Sequence, residues 1–122
     1  MRKRVWILLA APSRVKVTVL KCFNMDEVFK DPPIKAKYSG PCDEFKEGQE
    51  FIIGSEKTPR MPERFCPFAW DTLWRWIMLL RCNGDIEEFY EDRGKLVISC
   101  PDGLRPAIFK LERISEIISS HL

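Results

Sequence analysis

The residue pattern predicts an α+β fold: a small, mainly antiparallel sheet of about four strands packed on one dominant apolar helix. Three observations carry this expectation. Residues 14–21 and 106–112 alternate apolar and polar side chains with a period of two. Residues 66–81 hold apolar side chains at helical spacing. An Asp102-Gly103 turn separates two β-rich runs, which reads as a hairpin. Strands and helix come in mixed order rather than in regular alternation, which points to α+β and away from a parallel sheet.

The first strand places Val15, Val17 and Val19 on one face and Lys16 and Thr18 on the other. A short helix follows, because Asn24 and Glu27 have the spacing of a reciprocal N-terminal cap. Asp31-Pro32-Pro33 stops it, since a residue before proline is pushed out of helical geometry. Residues 31–48 read as a loop punctuated by Pro41, Gly40 and Gly48, and residues 49–53 as a second strand. A second loop spans 54–65. Cys66-Pro67 then opens the main helix, proline being at ease where its missing N–H has no partner anyway. Ala69, Leu73, Trp76, Ile77 and Leu80 share its apolar face, widened by Trp70, Trp74 and Met78. Asn83-Gly84 ends it. Residues 95–100 and 106–112 form the closing hairpin, with Pro106 at a strand start where no ladder donor is needed.

The chain has 122 residues, enough for one domain. No repeat or low-complexity segment interrupts it. Residues 15–113 are expected to form the domain, with 1–14 as an N-terminal extension and 114–122 as a tail or short helix. Arg2-Lys3-Arg4 followed by Val5 to Ala11 imitates a secretory leader, but no clean cleavage site follows, so secretion is the lesser reading. That run is also far short of the ~20 apolar residues that a membrane-spanning helix needs. The net charge of +2 lacks the one-sided basic bias of a nucleic-acid reader. A protein partner or a second copy of the chain stays open.

Five cysteines occur, at 22, 42, 66, 82 and 100. An odd number cannot pair fully within one chain, and no Cys-x-x-Cys is present. The expectation is mostly free thiols in a reducing, cytoplasmic compartment. Cys66 is the sharpest candidate: as the cap of a helix that starts at Pro67, its sulfur would meet unpaired N–H groups and the positive end of the helix dipole, which favour thiolate. Cys42 precedes a strand and Cys100 ends one, so all three sit at element boundaries where distant segments can meet. Three thiolates could hold zinc or iron, or two could pair by redox chemistry. Gaps of more than twenty residues provide no local chelate, and the packing reading, with no cofactor, outweighs both. Cys22 and Cys82 read as structural. Asp102 and Arg105 flank the hairpin tip. Asp102 suits the turn itself, and the Arg105 fork suits a carboxylate or phosphate. Asp71 is assigned to the first turn of the main helix.

Three strings together resemble a family of short bacterial and archaeal proteins of uncharacterised function. They are Cys42-x-x-Phe45-x-x-Gly48-x-x-Phe51, Phe65-Cys66-Pro67-Phe68-Ala69-Trp70, and the run from Cys100 through Asp102, Gly103, Arg105, Pro106 and Ala107 to Lys110. The resemblance spans about residues 15–113. In that family the position of Phe68 is often Trp and that of Ala107 often Val. It implies one domain and singles out Cys42, Cys66 and Cys100, but names no reaction.

No catalytic constellation emerges. His121 is the only histidine and lies next to the C-terminus, where a Cys–His or Ser–His–Asp engine has no fixed base. No Gly-Lys-Ser or Gly-Lys-Thr phosphate loop occurs. The sequence therefore points to an accessory or binding domain with a cysteine-bearing pocket. Its rivals are a thiol redox or metal-binding protein using Cys42, Cys66 and Cys100, and an interaction module using Trp70 and Trp74.

Overall fold

The computed structural model describes residues 13–54 and 56–114. Of the expected extension (1–14) and tail (114–122), residues 1–12 and 115–122, with the leader and His121, lie outside the described residues, while Arg14 and Ile114 pair with each other in the sheet. The elements run β1 (Arg14–Cys22), α1 (Met25–Val28), β2 (Glu50–Ile53), α2 (Pro67–Arg81), β3 (Lys95–Ser99) and β4 (Ala107–Ile114). The four strands form one antiparallel sheet in the order β2-β1-β4-β3. The fold is α+β, as the periodicities predict.

Alternation sorts the sheet into two faces. Val15, Val17 and Val19 of β1, Ile53 of β2, Leu96 of β3 and Phe109 and Leu111 of β4 are buried on the inner face. Helix α2 covers this face with Ala69, Leu73, Ile77 and Leu80, all fully buried. Each such Leu or Ile contributes roughly 1.5–3 kcal/mol by leaving water. The outer face carries Lys16, Lys95, Lys110, Glu50 and Glu112 in ion pairs of 3.6–3.9 Å. Exposed pairs of this kind add little stability.

The helix ends are built as the sequence suggests, with one addition. In α1 the Asn24 N–H donates to Glu27 Oε1 at 2.8 Å. Pro67 occupies the first position of α2. At its other end Asn83 takes a left-handed conformation (φ 61°), and the Gly84 N–H returns to the Leu79 carbonyl at 2.8 Å. Arg113 of β4 reaches across to the same end. It donates to the Leu80 and Gly84 carbonyls at 3.0 Å each and pairs with Asp85 at 3.2 Å. The Asp85 carboxyl is held below its usual range, first by the Gly94 backbone N–H and then by Arg113. No helix among the described residues is long and apolar enough to cross a membrane.

Candidate functional site

One cavity, of about 390 Å³, opens where the start of α2, the 42–45 loop and the β3–β4 turn meet. Cys42, Cys66, Cys100, Asp102 and Arg105 all line it. The five candidate residues thus come from three remote stretches of chain into one neighbourhood. Phe45, Phe68, Ala69 and Ala107 supply the apolar wall. Small side chains at 69 and 107 leave the space that larger ones would fill.

Local structure explains how each residue arrives. Cys66 is the N-cap of α2, as expected, but its side chain makes no capping hydrogen bond. The expected contact between its sulfur and the first helical N–H groups does not form. Cys100 follows β3. Its N–H donates to the Ala107 carbonyl at 2.9 Å, and its Sγ accepts the Ala107 N–H at 3.3 Å, which fixes the sulfur at the strand end. Asp102 Oδ1 accepts the N–H groups of Leu104 (2.9 Å) and Arg105 (3.2 Å), so Asp102 builds the turn. Arg105 Nη1 donates to the Gly40 and Pro41 carbonyls at 3.2 and 3.4 Å. In this structure the fork grips backbone rather than a carboxylate or phosphate. It ties the loop that carries Cys42 to the hairpin that carries Cys100.

Cys22 belongs to this neighbourhood although its sequence setting does not suggest it. Strict alternation from Val15 would turn residue 22 outward with Lys16 and Thr18. A register shift between Val19 and Lys21 reverses the parity, and Cys22 pairs with Ala107 on the buried side. Its Sγ donates to the Phe45 carbonyl at 3.8 Å, and its N–H donates to Glu47 at 2.9 Å. The one signal was Lys21, a charged residue at a position that unbroken alternation would bury. Cys82, the remaining cysteine, ends α2 with its side chain exposed.

Burial sets the electrostatics of Cys22 and Cys42. It pushes Cys22 up from its ordinary value, helped by the Glu47 carboxylate and then by Cys42 and Cys100. It pushes Cys42 up as well. The Glu44 backbone N–H and the Arg105 guanidinium oppose that rise, while Cys100 and Cys66 add to it. Cys42 thus feels Cys100 and Cys66, and Cys22 feels Cys42 and Cys100. All five cysteines are free. Among the described residues no group of three or more His, Cys, Asp or Glu is arranged to hold a metal ion. Cys42, Cys66 and Cys100 line one cavity without closing into a ligand set.

A second cavity, of about 440 Å³, runs along the flank of α2. Trp70, Trp74, Met78 and Pro67 line it against Lys57, Thr58 and Pro59. Trp74 is 42% exposed, whereas Trp70 is half-buried, edge-on to Phe65 at 6.0 Å. Asp71 lies one turn deeper in the helix than expected, since the first turn carries no acidic residue. It lines this groove rather than the cysteine cavity. The chain matches no protein-family model, no curated protein and no solved structure.

Proposed function

We propose that this protein is a small non-catalytic binding domain whose ligand seat is the cysteine-bearing cavity. One observation carries the reading: Cys42, Cys66 and Cys100, each more than twenty residues from the next, line a single cavity with Ala69 and Ala107. A volume of about 390 Å³ suits a compact organic ligand. Burial raises the Cys42 thiol, and the wall is mostly apolar with Glu44, Asp102 and Arg105 as its charged members, so the seat favours an uncharged, polarisable molecule over a metal ion. Free thiols fit a reducing, cytoplasmic setting. The test follows the Ala69 and Ala107 methyl resonances while a set of small uncharged aromatic and thioether compounds is added. Binding moves both signals, and Phe68→Ala, which opens the rim, alters the affinity. The reading fails if no compound moves either methyl.

The exposure of Trp74 favours a second reading, an interaction module that uses the α2 flank. Exposed aromatic anchors dominate many interfaces. Sedimentation of the wild type against Trp74→Glu checks its self-association form. Association lost in the variant supports it, and a monomer at every concentration removes it.

A further inference from the structure

We propose that Cys42 and Cys100 form a reversible disulfide across the mouth of the cavity, written by a low-molecular-weight disulfide and erased by a low-molecular-weight thiol. The inference uses the geometry of the cavity and does not depend on whether a ligand occupies it.

Cys42, Cys66 and Cys100 line one cavity, Cys22 pairs with Ala107 of its wall, and the fold discriminates among their pairings. Cys22 and Cys100 lie on either side of Ala107: Cys22 pairs with it in the ladder of β1 and β4, and the Cys100 N–H bonds to its carbonyl. Two strand spacings of ~4.8 Å separate their backbones by more than the ~7 Å that a disulfide spans. Cys42 belongs to no strand, so ladder spacing imposes no such separation on it. Both Cys42 and Cys100 line the cavity, and Arg105 holds the chain just before Cys42 against the hairpin that carries Cys100. The Cys100 sulfur is held in place by the Ala107 N–H. Cys66 lines the same cavity but belongs to a helix fixed by its own buried face, with no tether to the 40–42 segment among the hydrogen bonds of the described residues. The influence of Cys100 on Cys42 also exceeds that of Cys66.

The chemistry balances as follows. One protein thiolate attacks a sulfur of the small disulfide RSSR, forming a mixed disulfide and expelling RS⁻. The second protein thiolate attacks the protein-side sulfur of that mixed disulfide. The Cys42–Cys100 bond forms, and a second RS⁻ leaves. Both RS⁻ ions take up the protons the two thiols lost. The protein gives up two electrons and two protons, and RSSR becomes two RSH.

The test treats the full chain, native and reduced, with oxidised glutathione, blocks remaining thiols by alkylation and maps peptides without reduction. The expected result is a peptide pair joined through Cys42 and Cys100, the loss of two titratable thiols, and full recovery with dithiothreitol. Cys66→Ser still forms the bond. Cys100→Ser stops at a glutathione adduct on Cys42. A dominant Cys42–Cys66 bond overturns the proposal, as do stable glutathione adducts alone on the wild type or a bond that forms only in denaturant. The wild-type map decides even if a variant fails to fold, and it reads nothing from ligand binding, so the two proposals fail separately.

Discussion

Burial holds the Cys42 thiol above its ordinary range, and the Glu44 N–H and Arg105 guanidinium oppose that without cancelling it. Cys22 is raised in the same direction. A thiol whose folded value lies above its unfolded value of ~8.5 binds its proton more tightly in the native state. The stability this contributes is fully present below the unfolded value and is lost as pH rises through the folded one. The urea midpoint should therefore fall on the alkaline side of ~8.5. Cys42→Ser removes one titrating group and flattens that limb, as denaturation curves at neutral and alkaline pH would register. An unchanged limb means that Cys42 titrates alike in both states. Alkylation of Cys42 in the native protein should also keep accelerating beyond the pH at which a free cysteine levels off. At this scale the sequence was legible in part. Element-end positions identified Cys66 and Cys100, whereas Cys42 lies within the loop well before β2, and turn chemistry identified the role of Asp102. The grip of Arg105 on Gly40 and Pro41 spans more than sixty residues, and no local pattern encodes so remote a partner.

Elements were legible wherever period or punctuation is local. Helix α2 starts at Pro67 and ends before Asn83-Gly84 as the signals indicate. The register shift in β1 was not legible, because it depends on how β4 pairs. That one slip of parity decides which way Cys22 faces. The C-terminus of α2 offers a sharp test of element-level packing. A Cβ added at Gly84 would lie 2.3 Å from Leu79 Cδ1 and 2.9 Å from the Leu79 carbonyl oxygen. Gly84→Ala must push the Leu79 side chain aside and still cannot relieve the backbone contact. The expected cost is about 1–3 kcal/mol, the usual range for overpacking. Thermal unfolding would show it as a lower midpoint, with the helical signal of the folded state retained. A midpoint equal to wild type would mean that the turn opens at no cost.

In the whole molecule, the sheet buries one face under a single helix, and the cavity lies at one end of that interface, next to an aromatic cluster. Phe45, Phe65 and Phe109 meet with ring centroids 5.0–6.0 Å apart, and Phe51 and Trp70 extend the group. Phe45 belongs to both regions: it lines the cavity, packs on Phe109, and offers its carbonyl to Cys22. The cavity is thus bounded by the core itself, with Ala107 on its wall two positions from Phe109. Ala107 and Phe109 are both buried on β4, and only Ala107 lines the cavity. Their substitutions should separate packing from vacancy. Phe109→Ala removes a ring from a filled core and should cost about 3–5 kcal/mol, a large share of the roughly 5–15 kcal/mol that holds a domain together. Ala107→Val adds its methyls beside open volume. It should cost less than the roughly 1–3 kcal/mol of overpacking a filled core, while weakening any compound that moves the Ala69 methyl. Denaturant titrations of both variants, read beside the methyl shifts, distinguish the cases. If Ala107→Val destabilises as overpacking does, the space is closed in solution and the binding reading falls with it. If it is tolerated and binding survives, the ligand sits elsewhere. Tolerance with loss of binding is the result expected of a seat that the fold keeps empty by placing alanine where β4 could have carried a larger side chain.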